Sequence, residues 1–352
     1  MISIQKFSTL GIRKDKESRR CTRGYIDTGK FCNYDCEFCY YKNQLDNRDS
    51  LEIVKKRIKY AKDYGLDSVD FCGGESSVEP NWFNFLDYAV ECGFKSINTI
   101  TNGSKFCDME FLKKSVKHGL TEILFSLHGF NEESHDLITK RKGSFKKIIK
   151  AIENANELGL TVRINCTVSD TNHKGLTKDY PILMKRLKPL EINFIAVRYE
   201  SDNSGYKKVE YKEIIDSIKL SIDLIKEDIK YINMRFVPFC FAKDYEKHVV
   251  NHYQHIYDIF DWNRGTYQQE VPIKNYTYNE LLEHDYFEAE KTRINGYHKD
   301  ITCKECKYFY ICDGIDKHLA GQELIPVQGE KINDVNIFRK DFYDINDSYI
   351  NA

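Results

Sequence analysis

From about residue 50 onward, apolar positions along the chain follow two alternating rhythms. SLEIVKKRIKYAKDYG repeats apolar residues three and four apart and stops at Gly65, which predicts an amphipathic helix. DSVDFCGG, next along, is a short apolar run closed by glycines and predicts a strand. The pair recurs as FNFLDYAVECG with SINTITNG, DMEFLKKSVKHG with EILFSLHG, and SFKKIIKAIENANELG with TVRINCTVSD. YPILMKRLKPL then leads into EINFIAVRYE, and YKEIIDSIKLSIDLIKEDIK into INMRFVPF. Such alternation predicts an α/β fold, a parallel sheet flanked by helices. An open doubly wound sheet and a barrel share the rhythm. Polar residues close three of the strands (CGGE, TNGS, SLHG), and barrel enzymes place their sites at the C-terminal strand ends. A barrel-like unit over residues 22–236 is therefore expected, after an arm at 1–21. The rhythm stops after Pro238, so 237–352 reads as a second, smaller domain with a tail beyond about residue 320.

Composition narrows the function classes. The 352 residues carry 53 basic and 54 acidic side chains, a net charge of −1, without the basic footprint of a nucleic-acid binder. No apolar run approaches the roughly 20 residues a membrane span requires. MISIQKFSTLG lacks the apolar core of a secretion signal, so a cytoplasmic, reducing setting is expected. There, twelve cysteines point to metal binding or catalysis more than to disulfides. Six stand in two tight groups, Cys32, Cys36, Cys39 and Cys303, Cys306, Cys312, while Cys21, Cys72, Cys92, Cys107, Cys166 and Cys240 are scattered.

Cys32-x3-Cys36-x2-Cys39 followed by Tyr40 gathers three thiols in one short loop. Structural zinc wants four closed ligands, and iron–sulfur cubes usually take four cysteines. Three leave one metal position open for chemistry. The spacing resembles the signature of the radical S-adenosylmethionine (SAM) superfamily. That resemblance implies a partial (β/α)6 TIM-like barrel and a [4Fe–4S] cluster on Cys32, Cys36 and Cys39. It also implies S-adenosylmethionine chelated by the fourth iron, with Tyr40 at the cofactor. An external electron donor such as flavodoxin or ferredoxin would start the reaction, and a 5′-deoxyadenosyl radical would abstract a substrate hydrogen. Gly73-Gly74-Glu75 resembles the family's GGE motif, with glycines permitting close backbone approach and a carboxylate for the cosubstrate ammonium. By the same resemblance, Ser126 is a candidate hydroxyl for the cosubstrate. Thr101 and Asn102 are either cosubstrate contacts or strand-end structural polars. In TVRINCT, alternation puts Arg163, Asn165 and Thr167 on the interior face and Cys166 among the helices. Arg163 is then a candidate for the cosubstrate carboxylate, Asn165 for the ribose. His128 reads as a structural histidine or a substrate contact.

Cys303-x2-Cys306-x5-Cys312 is compact enough for a metal knuckle, for which zinc is the plain alternative. Beside the first motif it resembles part of the SPASM and twitch auxiliary-cluster domains. Asp316 stands where a further cysteine would be needed and no cysteine follows Cys312, so one auxiliary [4Fe–4S] cluster is implied, not two. Cys240 is its fourth ligand, a thiol that donates hydrogen to a substrate radical, or a core residue. Arg13, Lys14, Lys16, Arg19, Arg20 and Arg23 form a basic lead-in, and His248, His252 and His255 share one potential helix face. The function expected is radical SAM oxidation or epimerisation of a small polar, sugar- or nucleotide-like substrate. Modification of a ribosomal peptide is the alternative, set back because about twenty residues before the barrel are too few for a peptide-binding domain. A non-catalytic iron–sulfur or zinc scaffold is the other class.

Overall fold

Strand alternation sorts the sheet into an apolar outer face and a polar inner one. The computed structural model describes residues 23–39, 41, 45–63, 66–197, 210–250, 295–319 and 322–332. Eight parallel strands lie side by side in sequence order. Along the chain these are β1 (Arg23–Asp27), α1 (Leu51–Asp63), β2 (Ser68–Cys72), α2 (Trp82–Glu91), β3 (Ser96–Thr101), α3 (Met109–Lys117) and β4 (Glu122–Ser126). Next come α4 (Glu132–Thr139), α5 (Ser144–Glu157), β5 (Thr161–Val168), α6 (Asp179–Leu187), β6 (Glu191–Ala196), α7 (Tyr211–Ile225), β7 (Tyr231–Arg235) and the short β8 (Val249–Val250). Six βα units thus precede β7 and β8, forming the partial (β/α)6 barrel. One boundary moves: β8 pairs with β7, so the sheet continues past residue 236 into the segment expected to be separate.

The sheet is curled. Arg23 on β1 reaches Glu122 on β4 at 3.3 Å, and Arg163 on β5 reaches Asp70 on β2 at 3.6 Å. In a flat sheet, strands three places apart would be about 14 Å apart. On the outer face Val69, Phe71, Ile123, Phe125, Ile164 and Phe194 are fully buried with Ile58, Phe85, Ile148 and Ile218 of the helices. Each such side chain contributes about 1.5–3 kcal/mol on burial.

The inner face carries an ionic floor at the N-terminal strand ends. Arg163 lies 2.5 Å from Glu122 and 3.4 Å from Glu191, and Arg23 lies 3.0 Å from Asp70. Parity thus placed Arg163 on the inner face, where its guanidinium pairs with carboxylates near the N-terminal strand ends and not with the strand-end polar groups. Arg23, read as part of a basic lead-in, belongs to the same floor.

In the C-terminal part, β9 (Tyr297–His298) pairs antiparallel with β10 (Ile315–Asp316), and the second cysteine group lies between them. Of the tail expected beyond about residue 320, the described residues 322–332 touch the second cysteine segment at points. Leu324 is buried and the Ile332 amide donates to the Lys307 carbonyl at 2.9 Å. Among the described residues no helix is long and apolar enough to cross a membrane.

Candidate active site

The first cysteine loop leaves the C-terminal end of β1 and is clamped by the ends of β2 and β3. Gly74 N donates to Gly29 O at 2.9 Å and Glu75 N to Phe31 O at 2.7 Å. A Cβ at Gly74 would fall 1.9 Å from the Phe31 carbonyl oxygen, and Gly73 adopts φ +117°. The glycines thus let backbone approach backbone, seating the loop itself. Glu75, 2% exposed, accepts from Thr101 Oγ1 at 2.7 Å, from the Asn102 amide at 2.6 Å, and from Ser77. Burial pushes its carboxyl up, against the pull of those hydrogen bonds. Glu75 and Thr101 therefore tie strand ends together, the structural alternative for Thr101. Asn102 extends the tie to the cysteine loop, donating to Asn33 Oδ1 at 2.8 Å, while Asn33 Nδ2 donates to Ser104 Oγ at 2.9 Å. Asn33 and Ser104 carry no motif that sequence reading could use. Arg48 also holds the loop, lying 3.4 Å from the centre of the Phe31 ring and 2.6 Å from Glu79.

The three thiols feel one another. Desolvation pushes Cys32 up to about 12, with the Glu75 and Cys39 charges adding to it. It also raises Cys36, helped by the fields of Cys32 and Cys39. A soft donor set so placed fits one polynuclear iron site, which takes thiolates and must displace their protons. Tyr40 lies outside the described residues. Ser126 and Asn165 stand opposite each other in register at the open end of the barrel, and Asn165 Oδ1 is buried without a hydrogen-bond partner among the described residues. Such an orphaned acceptor fits a hydroxyl-bearing ligand.

His128 is structural. Its Nδ1 accepts from the Thr167 amide at 3.1 Å, its ring meets Phe38 of the cysteine loop edge-on at 4.7 Å, and burial lowers its pKa well below the usual value. Cys166 is fully buried among the helices, as its parity requires. His248 is buried with Nδ1 on the Ile232 carbonyl at 2.9 Å; His252 and His255 lie outside the described residues.

Cys240, on the β7–β8 connection, lies beside the second group. Cys240, Cys303, Cys306 and Cys312 line one recess together with Lys299, Tyr308 and Phe309. Desolvation raises Cys240, and the next largest contributions come from Cys312, Cys306 and Cys303. No three His, Cys, Asp or Glu side chains among the described residues converge on a single-ion position. Four thiols lining one recess form a soft donor set of the kind that iron–sulfur clusters take.

Residues 26–187 match the family profile described as the Radical SAM superfamily. Over β1 to α6, the barrel matches a radical SAM domain. Members of this family use a [4Fe–4S] cluster and SAM, and Cys32, Cys36 and Cys39 are the residues here with the signature spacing. The chain is 28% identical over 205 residues to a probable GTP 3′,8-cyclase of Saccharolobus islandicus, covering 56% of this chain and 63% of that protein. It is 32% identical over 145 residues to the subtilosin biosynthesis protein AlbA of Bacillus subtilis, covering 40% and 32%. The chain thus spans less than two thirds of the length of these curated relatives. In fold it resembles native anSMEcpe with bound AdoMet and Kp18Cys peptide, with TM-score 0.57 and 18% identity over 84% of this chain and 89% of that one.

Proposed function

We propose that the protein is a radical SAM oxidase of a polar substrate, with one auxiliary cluster held by Cys240, Cys303, Cys306 and Cys312. The observation that carries this reading is the recess lined by all four thiols. Together, a cluster on Cys32, Cys36 and Cys39 and bound SAM would supply a 5′-deoxyadenosyl radical that takes one hydrogen atom from substrate carbon. Ser126 and Asn165, at the open end, would orient cosubstrate and substrate hydroxyls, while Glu75, Thr101 and Asn102 hold the cysteine loop still. Four thiolates would leave the auxiliary cluster no open iron, which suits electron transfer and not substrate ligation. The balance is then complete: the hydrogen atom goes to 5′-deoxyadenosine, a proton to water, and one electron to the auxiliary cluster. A reduced flavodoxin or ferredoxin would supply the electron that cleaves SAM. Cys240 as a ligand is not available as a hydrogen donor, which favours oxidation over epimerisation.

Asn165, Asn193, Asn233 and Arg235 give the barrel interior a polar lining at mid-height and above, suited to a sugar- or nucleotide-like substrate. A peptide substrate is the second reading, supported by the fold likeness to peptide-bound anSMEcpe over most of the chain. The test is anaerobic turnover with SAM and a deuterated polyol or nucleotide sugar. Deuterium passing into 5′-deoxyadenosine is expected, with a protiated control giving a product two mass units lighter than its substrate. A product one mass unit heavier than protiated substrate after turnover in D2O would sink the oxidase reading, and turnover with peptides alone would select the second.

A further inference from the structure

Among the described residues, the four-thiol recess has one fixed cation on its wall. Lys299 is half-buried there, its ammonium donating to the Phe309 carbonyl at 2.7 Å and lying 4.8 Å from the centre of the Phe309 ring. Two anchors hold a side chain that would otherwise roam in water. Backbone amides point at the same sulfurs: Gly314 N donates to Cys312 Sγ and Val327 N to Cys306 Sγ, each at 3.4 Å. Each electron added to a four-thiolate cluster increases its net negative charge, so a nearby cation and N–H···S bonds stabilise the reduced form.

We propose that Lys299 tunes the auxiliary cluster: pinned by Phe309 on the wall shared by Cys240, Cys303, Cys306 and Cys312, its charge raises the cluster's reduction potential. Lys299 acts through the cluster and is a positioning residue for charge, with no substrate contact required. The inference rests on the auxiliary-cluster reading above and adds what makes that cluster a competent acceptor.

The test is an EPR-monitored redox titration of the anaerobic holoprotein and two variants, with iron counted in each. Lys299→Gln keeps an N–H donor for the Phe309 carbonyl but removes the charge. Its auxiliary cluster should be about tenfold harder to reduce, about 59 mV more negative for one electron. Lys299→Arg keeps the charge and should stay near the parent, and the first cluster should be unmoved in both. An unshifted auxiliary potential in Lys299→Gln at full iron content would overturn the inference while leaving the acceptor reading intact. Loss of auxiliary iron in that variant would assign Lys299 to folding and overturn it too. A parent protein holding only one cluster would remove the reading and the inference together.

Discussion

At position 74 a single methyl group would collide with the Phe31 carbonyl oxygen, 1.9 Å away, so backbone has to shift to admit it. Gly74→Ala should therefore displace the cysteine loop while the rest of the barrel survives. We expect a cost of about 1–3 kcal/mol, the range for overpacking. Iron attributable to the first cluster should be lost, with unchanged helical circular dichroism. Full iron content in that variant would show that the glycines do not seat the loop. His135 makes a different prediction. It is 1% exposed, its Nδ1 accepts from the Gly129 amide at 3.2 Å, and burial lowers its pKa from 6.5 to about 4. Its folded pKa lies below its unfolded one, so the unfolded chain takes up the proton first as pH falls. Stability is unaffected above about pH 6.5 and falls by about 1.4 kcal/mol per pH unit between there and about pH 4. His128, shifted in the same direction, adds to this. His135→Asn retains an acceptor for Gly129, so the denaturation midpoint should decline less steeply between pH 6.5 and 5. A slope identical to the parent's would show that His135 takes up its proton equally in the folded and unfolded chain.

Strands contribute more than their own hydrogen bonds, because side chains on five of them meet at the floor. Arg23 on β1, Asp70 on β2, Glu122 on β4, Arg163 on β5 and Glu191 on β6 combine two cations with three carboxylates away from water. Removing one cation strands buried negative charge, which costs about 3–5 kcal/mol. Arg163→Met should accordingly lower the thermal midpoint sharply. Unchanged stability with weakened SAM binding alone would restore the cosubstrate role. The floor also marks how far sequence reading reaches. Strands β2 to β7 were legible because each is an apolar run with a helix before it and a turn residue after it. β1 is a five-residue run interrupted by a glycine, and β8 has only two residues, so neither gave a periodic signal. The face of Arg163 followed from a period of two. Its partners did not: Glu122 and Glu191 lie on the neighbouring strands β4 and β6, and only the curl brings in Asp70 of β2. Glu75 is similar: GGE was visible as a motif, but the bonds to Thr101 and Asn102 cross 26 and 27 residues of chain.

For the molecule as a whole, the decisive question is whether the two cysteine groups, far apart in sequence, make two separate iron sites. The anaerobic protein should hold about eight irons, two [4Fe–4S] clusters. Cys32/Cys36/Cys39→Ala should retain about four and lose all SAM cleavage, since three ligands in the proposed first site would leave the open iron that chelation needs. Cys240→Ala tests the other site. Cys240 reaches the recess from the β7–β8 connection, while Cys303, Cys306 and Cys312 reach it from a segment much further along the chain, so the thiol joins barrel to C-terminal part. As a ligand, its loss uncovers one iron. The auxiliary spectrum or iron content should then change, and product should fall even where 5′-deoxyadenosine is still formed. A hydrogen-donating thiol forecasts the reverse, both clusters intact and an unquenched substrate radical. An auxiliary spectrum identical to the parent's in Cys240→Ala would therefore transfer Cys240 from the cluster to the substrate and replace oxidation by epimerisation.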